Sequence, residues 1–166
     1  MKNKVLIGLF TFAAVCFGQN IYAQTSAPVT VNINLTDALS ITLGADPTVN
    51  FDYLEAADYT EVQTVQKPNH FTVISNQEYN LTVQAVTAFS PAGPALDIVT
   101  VSVDPGTTNG GTHVPLNIDP TPLLNNADAS TGATYTINYE IADATTLLGL
   151  PDPTYTTTVT YTATQL

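Results

Sequence analysis

Period-two alternation runs through this chain from residue 29 to its last residues, and it constrains the fold more than any other feature. In "VTVNINL" (residues 29–35) Val29, Val31, Ile33 and Leu35 share one face, with polar residues between them. The pattern recurs in "LSITL" (39–43), "TVNFDY" (48–53), "YTEVQTVQ" (59–66), "HFTVISN" (70–76) and "YNLTVQAV" (79–86). It continues in "LDIVTVSV" (96–103), "VPLNI" (114–118), "TYTINYEI" (134–141) and "TYTTTVTYTATQL" (154–166). Successive side chains of a strand point to opposite faces, so these stretches read as half-buried strands. Turn chemistry separates them: Thr36-Asp37, Lys67-Pro68-Asn69, "SPAGP" (90–94) and "DPGTTNGGTH" (104–113). Asn76-Gln77-Glu78 is short enough to close a hairpin, and residues 119–132 read as a connection. Only residues 54–58 and 142–150 could hold a helical turn, and neither is long enough for a helix to persist alone. The 28 threonines fit the same picture, because β-branched side chains suit a pleated surface. The expectation is an all-β fold: a single antiparallel β-sandwich of about nine strands.

The first residues stand apart from that pattern. Lys2 and Lys4 precede an apolar run over residues 5–17, and a polar stretch and Ile21-Tyr22-Ala23-Gln24 follow. This is the layout of a secretory signal peptide, with cleavage expected between Ala23 and Gln24. The run is too short for a membrane-spanning helix, so no span is expected in the mature chain. A lipid-anchored reading through Cys16 is disfavoured by Val15, where a small residue is needed. Residues 1–23 are therefore read as the signal and 24–166 as one domain, exported to the periplasm, cell surface or exterior.

Loss of the signal changes the charge balance. The whole chain carries three Lys/Arg and 14 Asp/Glu, a net −11; removing Lys2 and Lys4 leaves Lys67 alone and a net −13. Such a chain has no basic patch for nucleic acid and is repelled by anionic membranes. The single cysteine, Cys16, leaves with the signal. No disulfide can then form, so stability must come from packing and strand pairing.

The last segment sets Thr156, Thr158, Thr160, Thr162 and Thr164 on one face and Tyr155, Val159, Tyr161 and Ala163 on the other. A threonine face is a poor partner for lipid, which argues against a membrane barrel, and favours Val159 and Tyr161 toward a core with threonine toward water. Thirteen residues extended span roughly 43 Å, so this segment must bend or reach past the domain. The ending "LPDPTYTTTVTYTATQL" and the early stretch "VTVNINLTDALSITLG" resemble secreted, pilin-like β-sandwich proteins such as the spore coat protein U family. That resemblance implies an Ig-like or pilin-like sandwich serving as a surface or fibre subunit. It also implies assembly by β-strand addition, with Val29, Val31, Ile33 and Leu35 of one copy filling a groove in the next. Alternation alone favours the plainer alternative, in which residues 29–35 form the first strand of their own sandwich.

Catalytic patterns are lacking. His70 and His113 are the only histidines, and no G-x-S-x-G elbow or metal-ligand spacing accompanies them. No enzyme is expected. The best candidate for ligand chemistry is Asp52, Glu55 and Asp58, three carboxylates in one loop that could offer oxygens to calcium; a solvated acidic loop is the plainer reading. Tyr53, Tyr59, Tyr135, Tyr139, Tyr155 and Tyr161 could serve as platforms for glycan. The resulting expectation is a structural cell-surface protein partnered by copies of itself or related subunits. The alternative is a soluble secreted module for glycan or another ligand.

Overall fold

A computed structural model describes residues 30–104, 111–151 and 154–166. The expected cleavage site at Ala23 and Gln24, with Cys16 and Val29, lies outside the described residues. The chain divides into two units, Met1–Leu35 and Thr36–Leu166. In the first, residues 30–35 belong to no strand, and Val31, Ile33 and Leu35 are exposed. The strand expected over residues 29–35 is thus not formed across its described part.

The second unit is an all-β antiparallel sandwich. Its strands are β1 (Leu39–Leu43), β2 (Gln63–Ser75), β3 (Tyr79–Ala85), β4 (Thr100–Val103), β5 (Val114–Pro115), β6 (Thr121–Ala127), β7 (Ser130–Ile141) and β8 (Val159–Gln165). One sheet has five strands in the order β1-β2-β7-β4-β5, and the other has three, β6-β3-β8. Among the described residues no helix is long and apolar enough to cross a membrane.

Several local expectations are corrected. Lys67-Pro68-Asn69 does not end a strand: β2 runs through it as a bulge, with its pairing to β7 shifting register between Lys67 and Phe71. Pro68 has no N–H for the ladder, and Asn69 takes φ +52°, a left-handed conformation that asparagine tolerates. Residues 76–78 are no hairpin, because β2 and β3 lie in different sheets and the segment crosses between them. Residues 48–53 form no strand; Val49, Phe51 and Tyr53 instead pack against the core from a loop. The connection at 119–132 contains β6, whose alternation is masked by Pro122 and by bulges. The two short helical candidates become 3₁₀ turns at Ala56–Thr60 and Thr145–Leu147.

The core follows from the pleat. Tyr79, Leu81, Val83 and Ala85 of β3 meet Tyr135, Ile137, Tyr139 and Ile141 of β7, with Phe71 and Val73 of β2 and Val101 and Val103 of β4. Two tyrosine pairs bridge the sheets through their hydroxyls: Tyr79 with Tyr135 at 2.6 Å, and Tyr139 with Tyr161 at 2.5 Å. Phe71 lies between Tyr135 and Tyr161, with ring centroids 5.3 and 4.8 Å away. On β8, Tyr161 is buried, and Val159 and Ala163 are half-buried on the same face. Thr162 and Thr164 face water, as expected from the alternation.

Candidate assembly site: an open seam between β1 and β8

At the β1 edge of the larger sheet one inward-facing row stays partly exposed. Leu39, Ile41 and Leu43 of β1 stand directly opposite Ser75, Val73 and Phe71 of β2. Residues directly opposite across a ladder share a face, so the β1 trio points to the inner side, where Val73 and Phe71 are fully buried. Yet Leu39, Ile41 and Leu43 remain 38, 36 and 58% exposed. The reason is geometric: Tyr161 of β8 stacks on Phe71 of β2 and bonds to Tyr139 of β7. β8 is thereby held over β2 and β7; it also approaches β1, yet leaves the β1 trio partly exposed.

Both strands bounding this seam end their sheets. Neither β1 nor β8 contains the proline, lysine or bulge with which proteins blunt an edge. The opposite pair of edges is blunted: β5 is two residues long and ends in Pro115, and β6 carries Pro122. Among the described residues, only this side of the sandwich thus offers both partly exposed inward-facing apolar side chains and an uninterrupted backbone edge.

One end of the seam is closed by a polar clasp. Gln165 Nε2 donates to Asn76 Oδ1 at 2.8 Å and to the Ala38 carbonyl at 3.2 Å. Asn76 Nδ2 donates to the Thr36 carbonyl, Ala38 N–H donates to Asn76 Oδ1, and Gln77 Nε2 donates to Asp37 Oδ1. Leu166 N–H donates to the Glu78 carbonyl. The clasp fixes where residues 36–38 enter β1. Its members are scattered through the sequence, so no local signal points to them.

Beneath the seam sits His70, 3% exposed. Its Nε2 is 2.9 Å from Tyr139 Oη. Burial lowers its pKa, and nearby Lys67 pushes the same way against the weaker pull of Asp46. Lys67 pairs with Asp46 at 2.7 Å, which holds that exposed carboxylate below its usual range. Burial raises Tyr139 to about 12, partly offset by the hydrogen bond from Tyr161, whose own hydroxyl is pushed well up by burial and by Tyr139.

The remaining candidates lie elsewhere. Asp58 Oδ2 accepts the backbone N–H groups of Leu54 and Glu55, each at 2.8 Å, and so ties down the 3₁₀ turn. Asp52 and Glu55 are exposed, and no group of three or more His, Cys, Asp or Glu among the described residues is arranged to hold a metal ion. The glycan platforms are not assembled either: Tyr135, Tyr139 and Tyr161 are in the core. Tyr53 and Tyr59 stack on each other at 5.0 Å, and Tyr155 is half-buried, so close over Gly93 that any side chain there would strike its ring.

No family model matches the chain, and no curated protein matches it. Among solved structures, one similar chain belongs to a chaperone-usher pilus, with 12% sequence identity and a TM-score of 0.40, covering 87% of this chain and 98% of that one. The functional reading rests on the seam itself.

Proposed function

We propose that this protein is an exported, non-enzymatic structural subunit of the cell surface that joins further copies of itself by β-strand addition. The observation that carries this reading is the inward-facing row Leu39, Ile41 and Leu43, left partly exposed beside the free edge of β8. An added strand would pair with β8, extend the three-stranded sheet and cover the row. Residues 29–35 suit that role: they alternate apolar and polar, and Val31, Ile33 and Leu35 are 78, 80 and 84% exposed. Seven such residues extend about 23 Å, matching the seven of β8. A surface fraction sheared from producing cells and run in detergent, with and without boiling, tests the reading. Subunit multiples that collapse on boiling are expected; monomer in both lanes refutes it.

A further inference from the structure

His70 touches both walls of the seam. Its carbonyl accepts the Gly44 N–H at 2.8 Å, tying the end of β1 to β2. Its ring stands edge-on to Tyr139 and Tyr161, at 5.7 Å from each and at 87° and 85°. With the proton on Nε2, His70 donates to Tyr139 Oη, and Tyr139 and Tyr161 share the second hydroxyl bond. The chain of contacts thus runs from β2 through β7 to β8.

Nδ1 is buried and has no hydrogen-bond partner among the described residues. In neutral imidazole with Nε2 protonated it is a bare lone pair, the cheaper kind of buried orphan. Protonation turns it into an unsatisfied N–H carrying charge, which a core tolerates badly. The groups facing the ring do not relieve this. Lys67 on β2 repels the added charge, and Tyr139 on β7 and Tyr161 on β8 are neutral. Asp46, from the loop after β1, attracts it but is already bonded to Lys67 and exposed to solvent.

We propose that His70 is an acid-sensitive pin beneath the seam: neutral, it holds β8 in place to receive an added strand; protonated, it releases that edge and weakens strand addition. This rests on the reading of the seam as an acceptor. Because the folded protein favours the neutral ring, the unfolded or opened state takes up the proton first. The hold is complete above the free-histidine value of about 6.5 and declines as pH falls below it.

Hydrogen exchange of the Val159–Gln165 amides in the purified protein, corrected for intrinsic rates, tests the pin between about pH 8 and about pH 5. Protection is expected to fall below about pH 6.5 by up to tenfold per pH unit, the limit for one proton. His70→Gln, whose amide can still donate to Tyr139, should flatten the profile. Unchanged wild-type protection, or the same slope in His70→Gln, overturns the proposal. If that variant does not fold, NMR titration of the wild-type His70 ring replaces it. A ring that titrates while β8 protection holds also overturns the proposal. Binding of a synthetic peptide of residues 25–35 separates the two claims. A peptide that binds at no pH overturns the acceptor reading; one that binds equally at both extremes leaves that reading standing and overturns the pin.

Discussion

Ile33→Asp separates the two roles open to residues 29–35. Ile33 is 80% exposed and lies in no strand. Stability of the sandwich should therefore change by no more than about 0.5 kcal/mol, a Tm shift of roughly 1–3 °C. Assembly should respond quite differently. Full burial of an isoleucine side chain contributes about 1.5–3 kcal/mol, so seating Ile33 in the seam of another copy gains ~1.2–2.4 kcal/mol. Losing that alone weakens each joint roughly ten- to fifty-fold, and the unpaired carboxylate adds several kcal/mol more. The assay pairs thermal melting of the purified protein with the unboiled gel of the surface fraction. An unchanged melt with a vanished ladder is expected. A Tm drop of more than about 5 °C would make residues 29–35 a native strand of their own sandwich. An undiminished ladder would exclude them as the donor.

Phe71→Ala should cost about 3–5 kcal/mol, a large share of a typical ~5–15 kcal/mol, because Phe71 is fully buried between Tyr135 and Tyr161; urea unfolding reads the loss. Asp58→Ala removes the acceptor of two backbone N–H groups and should cost roughly 0.5–2 kcal/mol. Millimolar calcium should leave the wild-type Tm in place, since Asp58 is already engaged. In alkali the sign is set by Tyr139: its folded-state pKa of about 12 lies above the ordinary tyrosine value. Its contribution, about 2–3 kcal/mol, is complete below pH ~10 and disappears as pH rises toward ~12. Tyr139→Phe should be less stable at neutral pH, where His70 and Tyr161 lose a partner, yet lose stability less steeply above pH ~10, as followed by circular dichroism.

The all-β sandwich was legible in the sequence because period two is a local signal: β1 and β3 stand where alternation places them, β7 starts four residues earlier, and β4 keeps only the second half of its stretch, Leu96–Ile98 forming a 3₁₀ turn. Long-range consequences were not legible. Nothing local says that the crossing at 76–78 sends β3 to the other sheet, or that β2 absorbs Pro68 as a bulge. β6 was hidden because Pro122 and the bulges break its alternation. The tyrosines illustrate the same gap. Alternation places Tyr135 and Tyr139 on one face of β7, but only the three-dimensional packing turns that face inward and pairs their hydroxyls with Tyr79 and Tyr161. For the seam, "LSITL" announces an apolar face, but how far that face is exposed depends on how the two sheets pack, which no local pattern shows.

Cysteine pairing would test strand addition between copies most directly, since Cys16, the chain's one cysteine, lies within the expected signal. Ile33→Cys would be combined in turn with Leu39→Cys, Ile41→Cys and Leu43→Cys, so that one register brings the thiols together. The surface fraction would then be run on a denaturing, non-reducing gel. Strand addition between copies requires a ladder of subunit multiples in at least one pair, collapsing to monomer on reduction. Monomer alone in all three pairs, with free thiols or an internal disulfide, would contradict it.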